Sequence, residues 1–146
     1  MKRTRIIIFA IFLVCSLSSI SVAADSDVNI DCDIQEGSCI RNLDNNTSIE
    51  FDIQPKPVAA MTDLTFHVTI KQNGKPVENA SLLLDLSMPG MFMGKNQPMM
   101  KHTKNGVYEG HGVIVRCMSG RKTWKADVSA TASDHKTSAA FIFEVK

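Results

Sequence analysis

One tryptophan and one tyrosine are all the chain has besides seven phenylalanines to build an aromatic core, and four histidines are all it has for imidazole chemistry. After residue 24 no stretch repeats apolar side chains with the 3.6-residue period of a helix, which argues against a helical or α/β domain. Charge of one sign is also lacking: 16 Lys and Arg stand against 15 Asp and Glu. Beyond the N-terminal leader only Arg121 and Lys122 are adjacent basic residues, so there is no electrostatic footprint for nucleic acid. No G-x-S-x-G, H-E-x-x-H, Walker or dinucleotide motif occurs, and the acidic residues are scattered over polar positions. The chain is therefore expected not to be an enzyme.

The only long apolar run is at the N-terminus. Lys2, Arg3 and Arg5 precede Ile6–Val14 and then the small-residue stretch "CSLSSISVAA", the three regions of a secretory signal peptide over residues 1–24. Cleavage after Ala23 or Ala24 removes three cations, takes formal charge from +1 to −2 and leaves no retained transmembrane helix. The product is expected in the periplasm or secreted. Residues 25–58 read as a lead-in with one strand, and residues 59–146 as the main domain.

Cys32, Cys39 and Cys117 lie beyond the leader, in a compartment where disulfides persist. Three single bridges are possible. Cys32–Cys39 is sterically the easiest, closes a short loop and is worth about 2.5 kcal/mol on the chain-entropy model. Cys117 is then an odd thiol: a small buried hydrophobe, a metal ligand or a redox partner.

Strand patterning is regular. Ile49, Phe51 and Ile53 alternate in "TSIEFDI", and Leu64, Phe66, Val68 and Ile70 in "LTFHVTI". Asn73-Gly74 supplies a tight turn into a partner strand whose Ala80, Leu82, Leu84, Leu86 and Met88 share a face. A second Asn-Gly turn at Asn105-Gly106 leads to "VYEGHGVIVRC", where Val113, Val115 and Cys117 are read on one face and Gly110 and Gly112 predict a bulge or a close backbone approach. "TWKADVSATA" aligns Trp124 as a buried aromatic anchor with Ala126, Val128 and Ala130, and "TSAAFIFEV" aligns Phe141, Phe143 and Val145. About seven short strands with regular turn signals predict an all-β, immunoglobulin-like antiparallel β-sandwich.

What the chain does have in excess is methionine in one place. "MPGMFMGKNQPMM" holds five of the seven methionines that follow the leader. Thioethers are soft donors suited to Cu(I) and need no deprotonation to bind. A loop doubling back at "GKNQP" is expected to bring Met88, Met91 and Met93 together as thioether ligands of one copper site, with Met99 or His102 completing it. Methionine is also a filler of irregular core space, and an exposed cluster serves as a contact patch, so packing or protein docking stands as the alternative. His67 falls on a polar strand face and His135 in a turn, both read as surface residues, whereas His111 sits between two glycines.

Taken together, "GKPVENASL", "MPGMFMGKNQP", "NGVYEGHGVIVRCMSGRKTWKADV" and "FIFEV" resemble the YtkA-like domain, related to the FixH-like proteins, over roughly Thr62 to Val145. The "MPGM-x-MG-x-N" loop and the "G-x-Y-x-G…RC-x-SG-x-x-x-W" block are the most specific parts. The resemblance implies a small exported or membrane-tethered immunoglobulin-like domain and carries no settled activity. FixH-like relatives are associated with assembly of copper-containing respiratory oxidases, which maps a copper role onto Met88, Met91 and Met93 and implies a copper enzyme or membrane respiratory complex as partner. The Cys32 and Cys39 segment lies outside the resemblance.

Overall fold

A computed structural model describes residues 28–146; the expected leader and its cleavage site lie outside the described residues. Among the described residues nine antiparallel strands form two sheets, and seven of these strands have five residues or more. β1 (Cys39–Leu43), β2 (Thr47–Gln54), β3 (Asp63–Gln72), β7 (Val107–Val113) and β6 (Lys101–Lys104) lie side by side in that order, with the two-residue β4 (Lys75–Pro76) beside the end of β3. β5 (Ser81–Ser87), β8 (Thr123–Ala132) and β9 (His135–Glu144) make the second sheet. The β-sandwich read from the alternation is the fold. Among the described residues no helix is long and apolar enough to cross a membrane.

The alternation sorts each strand's side chains between core and solvent. Ile49, Phe51 and Ile53 of β2 and Leu64, Phe66, Val68 and Ile70 of β3 are buried, and they face Leu84, Leu86, Trp124, Val128, Phe141 and Phe143 of the other sheet. Phe51 stacks on Phe141 with ring centroids 5.4 Å apart, an aromatic contact between the sheets. Trp124, 1% exposed, is the predicted anchor. Asn73-Gly74 and Asn105-Gly106 turn with positive φ at all four residues, as tight hairpin turns of right-handed twist require.

Two strands run differently from what their alternation suggests. The Asn73-Gly74 hairpin lasts only through β4; the chain then crosses between 77 and 80 to the opposite sheet, so the Leu-rich β5 pairs with β8 and not with β3. Tyr108 pins this crossover, its hydroxyl donating to the Val77 carbonyl and accepting from the Ala80 amide, both at 2.9 Å. In β7 the inward face carries Tyr108, Gly110 and, just past its end, Ile114, while Val115 is exposed. The strand stops at Val113, and Cys117 returns to the interior from a turn instead of from the face of Val113 and Val115.

The two open sides of the sandwich are sealed by different segments. On one side the lead-in runs along β9: the Asp31 and Cys32 amides donate to the Ile142 carbonyl at 3.0 Å, and the Ile142 amide donates to the Asp31 carboxylate. The Cys32–Cys39 disulfide joins this segment to β1. Lys56 ties it further, its ammonium reaching the Ile34 carbonyl and the Asp52 carboxylate. Burial pushes the Asp52 carboxyl up, but hydrogen bonds from Lys56, Gln54 and the Ile53 amide outweigh it and hold the group below the ordinary carboxylate range. A depressed folded value stabilises above the unfolded value, and the stabilisation is lost as pH falls through the folded one. Asp52→Asn is therefore expected to cost about 1 kcal/mol at neutral pH. Urea midpoints of variant and native protein should converge as pH falls below the ordinary carboxylate range and the Asp52 carboxyl protonates; a difference that persists in acid would remove the Asp52 charge as the cause.

On the opposite side the Met-rich loop does the sealing. The Leu86 amide on β5 donates to the Asn96 carbonyl at 2.9 Å, and the Asn96 side chain donates to Val113 on β7, bridging the sheets. The loop's second limb then lies on the glycine face of β7. A Cβ at Gly110 would stand 2.4 Å from the Met100 sulfur and 3.1 Å from the Met99 carbonyl, and one at Gly112 would stand 3.4 Å from Pro98. The close approach predicted from the glycines is thus made by Pro98–Met100.

Candidate metal centre

Two tight turns face each other at the end of the sandwich where β5 leaves its sheet. The first is "MPGM": Pro89 supplies its preset φ, Gly90 its positive φ of 73°, and the Met91 amide closes on the Met88 carbonyl at 3.1 Å. Met88 and Met91 are thereby bridge partners, which puts their side chains on one face. Met88 is 2% exposed and Met91 half-buried against the core. The second turn is "CMSG", closed by the Gly120 amide on the Cys117 carbonyl at 3.0 Å. Arg121 links the turns by donating to the Pro89 carbonyl at 3.4 Å.

The turns bring two sulfurs into contact. Cys117, a free thiol 6% exposed, lies with Sγ 3.4 Å from Sδ of Met91. The Ser119 hydroxyl sits 3.0 Å from the same Sγ. That hydroxyl, then the Ser119 amide, holds the Cys117 thiol below its ordinary pKa; removal of the group from solvent works the other way, and the Arg121 charge adds a smaller pull downward. A thiolate favoured in this way competes better for a cation, since protons and metal share the ligand.

The pair suits a soft monovalent ion. Cu(I) takes thiolate and thioether donors, and Met88, the bridge partner of Met91, is a second thioether in the same turn. With bonds of about 2.3 Å to sulfur, a trigonal ion needs its ligands about 4.0 Å apart, so the pair must open by roughly half an ångström. Methionine's rotatable bonds allow that movement without shifting the turn.

Met93 is half-buried and packs against the core. Met99 is 77% exposed and borders a shallow depression with Glu109 and His111 on the outer face of β6 and β7. His102 packs against Tyr108 with its ring tilted by 56° and the centroids 5.2 Å apart. His111 Nδ1 is 3.1 Å from the Thr65 hydroxyl, and His67 Nδ1 is 3.5 Å from Glu109. Among the described residues no three His, Cys, Asp or Glu side chains converge as a metal cluster. Ser119 and Arg121 went unnoticed as contributors in the sequence, although both fall in its "RC-x-SG" block and the residue after it.

A family model described as YtkA-like matches residues 44–126, more than half of the chain, and spans both turns. No curated protein and no solved structure matches.

Proposed function

This chain belongs to the YtkA-like family, and on that premise we propose that it is an exported, non-enzymatic β-sandwich that binds Cu(I) at Met91 and Cys117, with Met88 as a further thioether donor, and buffers the ion or delivers it. The observation that carries this reading is the 3.4 Å contact between the Cys117 and Met91 sulfurs. Export is supported by the leader at residues 1–24 and by the Cys32–Cys39 disulfide, a bond that persists in oxidising compartments such as the periplasm. A copper enzyme or a membrane respiratory complex is the expected recipient.

The packing alternative accounts for Pro98 and Met100, which fill the space over Gly110 and Gly112. It accommodates the sulfur contact as a thiol S–H donated to the Met91 thioether, but gives no use for a Ser119 hydroxyl that favours the thiolate. The test is a competition titration of the chain from Asp25 onward against a chromophoric Cu(I) chelator. A one-to-one complex is expected, weakened by about tenfold in Met91→Ala. No copper taken from the chelator, or equal affinity in the variant, defeats the reading.

A further inference from the structure

Beside the sulfur pair lies a surface pocket of about 350 Å³ to which Cys117 and Trp124 contribute buried side chains. Its other lining residues include Arg116, Arg121, Lys122 and Lys146, and none is acidic. Arg121 is engaged with the Pro89 carbonyl. Arg116, Lys122 and Lys146 are exposed, and among the described residues none of the three meets a carboxylate in an ion pair. In a chain whose charges nearly balance, such a group of cations makes a local positive field.

Apolar side chains are exposed in the pocket wall and in the chain next to each of the two sulfurs. Val115, in the pocket wall, is 40% exposed; Met118, next to Cys117, and Phe92, next to Met91, are fully in solvent. Apolar and aromatic side chains interleaved with cations have the composition of a transient protein interface. We propose that this face docks an acidic segment of a protein partner, its carboxylates meeting Arg116, Lys122 and Lys146 while an apolar side chain enters the pocket beside Cys117. The proposal rests on the copper reading only for what crosses the interface, since the docked segment would lie against the sulfur pair. An anionic bilayer would attract the same cations, but a flat surface leaves the concavity beside Cys117 unfilled.

The test uses the metal-free chain, so that it stands apart from the copper titration. Amide resonances are followed by NMR during titration with the capped peptide Glu-Glu-Leu-Met-Glu-Glu and with its lysine counterpart. The acidic peptide is expected to shift amides of residues 115–122 and 146, and its affinity to fall about tenfold when salt is raised from 0.05 to 0.5 M, by screening. The triple variant Arg116→Ser, Lys122→Ser, Lys146→Ser should abolish these shifts while keeping the native spectrum, and the lysine peptide should produce none. Absence of shifts, shifts at another face, or equal response to both peptides overturns the proposal. So does sedimentation of the native chain with phosphatidylglycerol vesicles in the absence of any peptide response, which would assign the face to lipid. Copper binding without a peptide response removes the docking proposal alone; a peptide response without copper binding removes the copper reading alone.

Discussion

Cys117→Ser is expected to lower Cu(I) affinity by about a hundredfold, equivalent to about 2.7 kcal/mol, because it removes the one anionic donor of the sulfur pair and puts a hard oxygen in its place. The fold should tolerate the change. Serine is close in size, the site is 6% exposed, and the Ser119 hydroxyl offers a hydrogen-bond partner, so the cost in urea is expected near about 1 kcal/mol. The pH dependence separates this effect from general damage. Metal binds the thiolate, so affinity is level above the thiol pKa and falls below it as protons compete. The Ser119 contact lowers that pKa, so the native protein should keep its affinity to lower pH than Ser119→Ala does. Competition titrations across pH measure both; identical profiles for native and Ser119→Ala would remove Ser119 from the account.

The second large effect is on stability and loop position. Gly110→Val would drive a Cβ to within 2.4 Å of the Met100 sulfur and 3.1 Å of the Met99 carbonyl, and the second contact is backbone that a rotamer change does not relieve. Overpacking of this kind is expected to cost about 2–3 kcal/mol in urea unfolding. The Pro98–Met100 limb has to lift from β7. The "MPGM" and "CMSG" turns are closed by their own hydrogen bonds, so Cu(I) affinity should stay within about threefold of native. Affinity that collapses in Gly110→Val and survives in Cys117→Ser would return the metal to the Met99 and His102 end of the loop.

These two variants also mark where the sequence was informative. Gly110 and Gly112 were legible as points of close approach, because a missing side chain on an inward strand face needs something to fill it. Alternation in β2, β3, β8 and β9 revealed the core, and Asn-Gly pairs revealed two turns, since both signals are local. The crossover after β4 was not legible: "PVENASLLLDLSM" alternates equally well whichever sheet it joins, and the choice is made by Tyr108, 28 residues downstream of Ala80. The site divided in the same way. Met88 and Met91 were legible together because Pro89-Gly90 folds them back on each other within four residues. Cys117 remained one of several readings, because its contact with Met91 spans 26 residues and two sheets. Met99 and His102 were grouped with the site by nearness in sequence, yet the limb that carries them continues into β6 at the edge of the other sheet.

If a thiolate and a thioether from opposite turns hold the ion, X-ray absorption at the copper edge of the chain loaded with one equivalent of Cu(I) will show it. The expected result is a first shell of sulfur alone at about 2.3 Å, lost as an ordered shell in Cys117→Ser. A first shell containing imidazole nitrogen, or a sulfur shell unchanged in Cys117→Ser, would contradict it.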